Sequence, residues 1–250
     1  NVENSMTCAL SSQANALPQG FPQGTVGTYG YGYVALIAKT TVDRIDFAND
    51  TATASVRGPL SVDKSWFAAA SSSSHGYWAG GLPGPVSTVN RLDYANDTAT
   101  SSVRGPLSVA GAGGGGVGNE NFGYFSIGYP GPKSTVDRID YGNDTIAAVA
   151  KGPLSAAKYE VRATGSKSYA YFAGGTPGPV STVNRLDYAS DTTACVAKGP
   201  LSANKRKHSS SGNANYGYMV GSMLPGGKCQ TIVDRIDYSN DTATARPSLS

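Results

Sequence analysis

The chain has 250 residues, 15% of them charged and 39% hydrophobic, with 32 Gly, 15 Tyr and a formal net charge of +3. Gly is poor in helices while Tyr and Thr favour strands, so this composition points to β structure and away from a helical bundle. No apolar run approaches the ~20 residues that carry a helix across a bilayer, so no membrane partner is expected.

One segment recurs throughout. Residues 41–51 (T-V-D-R-I-D-F-A-N-D-T) return at 88–98, 135–145 and 182–192, and at 232–242 as I-V-D-R-I-D-Y-S-N-D-T. The central arginines, Arg44, Arg91, Arg138, Arg185 and Arg235, are spaced 47, 47, 47 and 50 residues apart. Self-similarity at that period marks stacked supersecondary units sharing one core. The expectation is therefore one domain over residues 1–250.

Taken in order, residues 1–20 contain M-T-C-A-L-S-S at 6–12, which resembles T-A-C-V-A-K at 193–198. It predicts an extra or closing strand ahead of the first unit. The lack of Met at position 1 reads as a processed or excerpted product. Within the second unit, 65–71 predicts strand A and 76–81 strand B. Pro83-Gly84-Pro85 makes a turn, because Pro fixes φ and Gly supplies positive φ. Residues 86–94 predict strand C, Asn96-Asp97 a tight hairpin of positive φ, and 98–104 strand D. Gly105-Pro106-Leu107-Ser108 then closes the unit. The third unit carries a glycine run at 111–118, which relies on its neighbours to hold a strand. The chain ends on a second D-like segment, 242–250. That leaves six candidates for five outer places, and a surplus terminus suits assembly with other copies of the chain.

Four antiparallel strands repeated every 47 residues or so predict an all-β fold, a five-bladed β-propeller of four-stranded antiparallel blades centred on the five arginines. The strand B segments Y-W-A-G-G at Tyr77 and Y-F-A-G-G at Tyr171, each followed by apolar-Asp-Tyr as in Leu186-Asp187-Tyr188, resemble the Kelch repeat. The resemblance runs from about Tyr29 to the end, and departs from the family where strand D carries Ala and Val in place of Trp. More narrowly, the T-V-D-R-I-D-Y-x-N-D-T…G-P-L-S unit is similar to Kelch-like repeats of structural and tail-associated proteins of marine bacteriophages and aquatic viruses. That resemblance implies a virion or extracellular location and a non-enzymatic role in assembly or surface attachment, with other particle proteins as partners.

The repeated charges read first as structure. A propeller covers both faces of its inner strands, so the five arginines are expected to bridge blades. Asp46, Asp93, Asp140, Asp187 and Asp237 are expected to cap turns or pair with them. Asn-Asp-Thr also matches a glycosylation sequon, but the fourth copy has Ser190 and keeps the turn, so the turn explains the repeat better. Lys205-Arg206-Lys207-His208 reads as a solvated loop rather than a nucleic-acid contact. No Ser-His-Asp set, metal-ligand spacing or phosphate loop occurs, so neither enzyme nor cofactor is expected. Cys8, Cys195 and Cys229 leave the redox compartment open. The units vary most between the G-P-L-S closure and strand B. A glycan-binding alternative would use that face, through Trp66, Tyr129, Tyr159, Lys205, Arg206 and His208.

Overall fold

The computed structural model describes residues 39–49, 51–223 and 227–249 in full, and residues 31–35 as backbone. The expected strand at 6–12 lies outside the described residues. The fold is all-β, with five antiparallel sheets in succession. The first holds β1 (Tyr31–Ala35), β2 (Val42–Asp46) and β3 (Ser55–Arg57). The second holds β4 (Ala68–Ser71), β5 (His75–Ala79), β6 (Val89–Asp93) and β7 (Ser102–Arg104). β8 (Ala112–Gly118), β9 (Phe122–Tyr129), β10 (Val136–Asp140) and β11 (Val149–Lys151) form the third. β12 (Arg162–Gly165), β13 (Tyr169–Ala173), β14 (Val183–Asp187) and β15 (Val196–Lys198) form the fourth. The last comprises β16 (Ser209–Gly212), β17 (Tyr216–Met223), β18 (Cys229–Asp237) and β19 (Thr242–Arg246). In each sheet spatial order follows chain order, which is a meander. The C-terminal segment therefore takes the outer place beside β18.

Register repeats with the sequence. Tyr77 faces Arg91 and Arg91 faces Ser102, as Tyr124, Arg138 and Val149 line up in the next sheet and Tyr171, Arg185 and Val196 in the one after. Residues opposite one another share a face, so each Tyr and Arg project together towards the following sheet. The first strands of successive sheets pack on one another, β4 on β8, β8 on β12 and β12 on β16. Outer strands lie on the far side, with Val56, Val103, Val149 and Val196 exposed.

The core is divided into layers between sheets. Leu60 packs with Val42, Phe67, Trp78 and Leu92 between the first two sheets. Leu107, Leu154 and Leu201 occupy the corresponding place in the next three layers. Each is the leucine of a G-P-L-S closure, and full burial of one such side chain is worth roughly 1.5–3 kcal/mol. The closure is thus a plug between sheets.

The connection from C to D differs from the expected tight hairpin. Residues Tyr94–Asn96, Tyr141–Asn143 and Tyr188–Ser190 form single 3-10 turns. Asp97 (φ −74°), Asp144 (φ −76°) and Asp191 (φ −67°) follow with ordinary negative φ. Among the described residues, the last unit, where β19 follows directly from a turn, is the one that places its aspartate at positive φ, Asp241 at 61°. In the other units the chain runs on past the turn before strand D begins, so D shrinks to three residues.

Candidate functional site

The repeated Asn-Asp-Thr aspartate is the hub of each sheet-to-sheet contact. Asp144 accepts from Tyr77 Oη at 2.9 Å and Arg91 Nη1 at 2.8 Å, with Arg104 Nε at 3.6 Å. Asp191 is held by Tyr124 (2.9 Å), Arg138 (2.7 Å) and Lys151 (3.3 Å). Asp241 is held by Tyr171 (2.6 Å), Arg185 (2.6 Å) and Lys198 (3.0 Å). Arg44 (2.8 Å) and Arg57 (3.2 Å) grip Asp97 in the same way. One sheet supplies the donors from strands B, C and D, and the following sheet supplies the acid. Burial, with the adjoining carboxylate, lifts the Tyr77 and Tyr124 hydroxyls well above the ordinary tyrosine range. The arginine side chains stay about a quarter exposed, 22% for Arg44 and 25% for Arg138, because their outer sides lie at the sheet margin. Arg138, Arg185 and Arg235 cover the rings of Phe122, Tyr169 and Tyr216 at 4.2, 4.1 and 4.1 Å.

Asp46, Asp93, Asp140, Asp187 and Asp237 act in turns. Their side chains accept from Ala48 N, Ala95 N, Gly142 N, Ala189 N and Ser239 N at 2.9–3.0 Å and so cap the turns. At the residue just before the arginine of strand C, a buried Asp or Asn anchors the serine of the preceding closure. Ser108 N and Oγ donate to Asp137 at 3.1 and 2.5 Å, and Ser155 N donates to Asn184 at 2.8 Å. Burial raises the Asp137 carboxyl above its usual range, against the opposing Ser108 bonds. The folded state therefore holds this proton more tightly than the unfolded chain, and stability from it is lost as pH rises through the raised value. Asp137→Asn is expected to raise the melting midpoint at pH 7 and to leave it nearly unchanged at pH 3. Calorimetry at both values checks this, and a lower midpoint at pH 7 would refute it.

On the face carrying the D-to-A and B-to-C connections, three of the variable residues come together. The rings of Trp66 and Tyr129 lie 5.8 Å apart edge-on, and those of Tyr129 and Tyr159 lie 6.1 Å apart. They come from three successive sheets, and all three are part-exposed. Beneath them runs a second 47-residue series: Trp66 (φ 56°), Gly113 (φ 63°), Glu160 (φ 59°) and Lys207 (φ 49°) all have left-handed backbone. Positive φ in three non-glycine residues is uncommon and strained. Gly113 N donates to Trp66 O and Glu160 N to Gly113 O, both at 2.7 Å, so these residues run from sheet to sheet where the first strands meet. Lys207 Nζ lies 3.4 Å from Glu160 and 4.9 Å from the centre of the Trp66 ring.

The basic run is not the solvated loop expected of it. Lys205 and His208 are 0% exposed. Lys205 Nζ donates to Gly221 O (3.2 Å) and Ile232 O (2.8 Å) and lies 3.3 Å from Asp234. Burial, then Arg162 and Lys205, push His208 well below the ordinary histidine range, so it sits neutral in the interior. Neither is available to a ligand on this face. Arg206 is part-exposed and donates from Nε to Met223 O at 3.1 Å, and Lys207 takes the place at the aromatic cluster. Lys64 and Lys158 are buried at equivalent positions, and desolvation lowers Lys64 to about 8. The signal for these lysines was their 94- and 47-residue spacing.

At the opposite end, between the fourth and fifth sheets, a cavity of about 370 Å³ is lined by Tyr169, Tyr216, Asn215 and Asp237 among others. Its polar groups are largely engaged in their own turns, as Asp237 is by Ser239 and Ser166 by Tyr169 N. Among the described residues no group of three or more His, Cys, Asp or Glu is placed to hold a metal ion. Comparison with protein-family models and with curated proteins gave no match.

Proposed function

We propose that this chain is a five-bladed β-propeller serving as a non-enzymatic adhesive module, one that attaches to surface glycans through the Trp66–Tyr129–Tyr159 cluster. The ring reading is supported by the serial packing of first strands and by Lys207 of the fifth sheet reaching Trp66 of the second. With those two in contact near an axis, the first sheet alone remains to fill the circle. The observation that carries the function is the convergence of three part-exposed aromatic rings from separate sheets. Rings of this kind offer an apolar face to a sugar's C–H surface, and they are rigid enough to bind at low entropic cost.

An extracellular or virion setting fits the disulfide-bonded Cys229, whose partner lies outside the described residues, since disulfides persist in oxidising surroundings. Cys195 remains a buried free thiol. The companion reading, a decoration or appendage protein bound to other copies or to particle proteins, draws on the Kelch-like resemblance and on the exposed valines of the outer strands.

A glycan array should show saturable binding that Trp66→Ala weakens at least about tenfold, or roughly 1.4 kcal/mol. The melting midpoint of the variant should stay close to that of the parent, because the ring is part-exposed. Binding that survives the substitution would remove this face as the site. No binding to any sugar would leave assembly as the function.

A further inference from the structure

Charge is divided between the two ends of the molecule. In the D-to-A and B-to-C connections that make up the Trp66 face, the described residues include eight basic side chains and two acidic ones, Asp63 and Glu160. The opposite end carries the turn-capping aspartates Asp46, Asp93, Asp140, Asp187 and Asp237. A net charge of +3 conceals this polarity. A field of one sign over a face raises the local concentration of ligands of the other sign.

Two of the basic residues stand against each other. Lys133 and Lys158 are directly opposite in a bridge between the third and fourth sheets, exchanging backbone bonds of 3.2 and 2.8 Å. Like charges so placed cost stability. Lys133 is half-buried, with Nζ 3.2 Å from Gly128 O at the strand end that carries Tyr129. Lys158 immediately precedes Tyr159, is 5% exposed, and its Nζ meets no hydrogen-bond partner among the described residues. Its counterparts are satisfied, Lys64 by Thr88 O at 2.9 Å and Lys205 by Ile232 O at 2.8 Å, with Asp234 at 3.3 Å. Burial holds the Lys158 ammonium below the ordinary lysine range, a shift that a nearby anion would oppose. Glu160 is already engaged by Lys207, which lies against Trp66. A lysine therefore stands at each member of the aromatic cluster, and the one acid among them is taken.

We infer that the glycan taken by this face is acidic, a chain bearing carboxylate or sulfate groups. Its sugar rings lie on Trp66, Tyr129 and Tyr159, and its anions answer Lys133, Lys158 and Lys207. The inference rests on the glycan reading proposed above and adds the sign of the ligand's charge. A neutral sugar would use the rings and leave the Lys158 charge unanswered. A nucleic acid fits less well, because the rings meet at 73° and 64° and offer no ladder of parallel faces to successive bases. The acidic end turns away from a surface coated with such glycans, so the same polarity orients the protein on it.

The test begins with the intact chain on a glycan array, followed by titration with oligogalacturonate and with one galactan oligosaccharide in sulfated and unsulfated forms. At 0.1 M salt at least one acidic probe should bind at least about tenfold tighter than the unsulfated galactan. That advantage should shrink at 1 M, where the Debye length has fallen from ~10 Å to ~3 Å. Lys158→Met should raise the melting midpoint by about 2–4 °C, since it removes an unpartnered buried charge. It should also weaken the acidic probe at least about threefold. A purely structural lysine would move the midpoint and leave the affinity alone, which would overturn its part in the site. Lys133→Gln should weaken the acidic probe similarly, and decides the matter if Lys158→Met fails to fold. Neutral glycans bound as tightly as acidic ones would overturn the acidic assignment and leave the glycan reading standing. An array without binding sinks both. Polyphosphate bound as tightly as the sugars, and unaffected by Trp66→Ala, would overturn the inference in favour of bare charge.

Discussion

Replacing Asp144 with alanine is expected to destabilise the fold by about 3 kcal/mol, with a fall in melting midpoint of about 6–12 °C. Two donors converge on this carboxylate, Tyr77 Oη and Arg91 Nη1, and the Arg104 guanidinium lies 3.6 Å away as a second positive charge. Without it, two guanidiniums face each other across a site where the acid was only 5% exposed, and the fully buried Tyr77 hydroxyl loses its acceptor. The cost falls at the low end of the range for a broken buried pair because Arg91 keeps 23% of its side-chain surface in water. The main-chain bond from Gly105 N to Asp144 O (2.9 Å) survives the substitution, so the loss reports the side chain. Asp144→Asn keeps one acceptor and should lose less. Asp241→Ala should also lose less, since that aspartate is 15% exposed. Urea unfolding of the three variants measures this. A loss below about 0.5 kcal/mol for Asp144→Ala would mean that the contact behaves as an ordinary surface ion pair.

The repeat itself, its four strands and the inter-sheet role of Arg44, Arg91, Arg138 and Arg185 were legible because each rests on a periodic signal. The arginines' partner was not. Asn-Asp-Thr is turn chemistry, and an aspartate in such a turn reads as a backbone device. In the structure the turn is made by the aspartate four residues earlier, Asp93 or Asp140, and this frees Asp97 or Asp144 to reach the previous sheet. Asp93 and Asp140 cap turns, one of the two roles expected of them, and the acid that meets the arginines is the one read as turn chemistry alone.

Lys205 and His208 escaped for a related reason. A run of four basic residues reads as solvated, yet Lys207 adopts left-handed backbone within it, so that Lys205 and His208 turn inward while Arg206 and Lys207 stay at the surface. The glycine run at 111–118 shows the converse. Composition alone marks it as a weak strand, but β8 is almost wholly buried. A Cβ on Gly115 would lie 2.7 Å from Ala163 N, and one on Gly116 would overlap Ala69 O. Glycine there lets three first strands approach backbone to backbone, a tertiary fact with no local signature. The aromatic cluster was foreseeable only as a set of variable residues on one face. That Trp66, Tyr129 and Tyr159 meet depends on how the sheets are placed around one another.

Gly152→Ala should be among the most damaging methyl additions at the described glycines, costing about 4 kcal/mol or more and sharply reducing soluble protein. Glycine is required here for space. Gly152 N donates to Asp191 O at 2.7 Å, and Cys195 N donates to Pro153 O at 2.8 Å, so the closure lies flat against the next sheet's C-to-D connection. A Cβ on Gly152 would overlap the carbonyl oxygen of Thr193, which is backbone and has no rotamer to yield. Relief would require pulling the closure away, which breaks both hydrogen bonds and withdraws Leu154 from its layer. Gly58 and Gly105 face the same obstruction from Ala99 O and Ile146 O, and this accounts physically for the repeated glycine of G-P-L-S. Two internal controls grade the effect. Gly199→Ala should be milder, because the nearest atom there, Asp241 O, is 3.0 Å from the added carbon. Gly178→Ala should cost only about 1 kcal/mol, since φ is 66° but nothing lies within 4 Å, leaving the left-handed backbone as the sole penalty. Thermal and urea unfolding should therefore rank the variants Gly152, Gly199, Gly178 in decreasing damage. A Gly152→Ala protein within 1 kcal/mol of the parent would show that the closure does not lie against the neighbouring sheet as described.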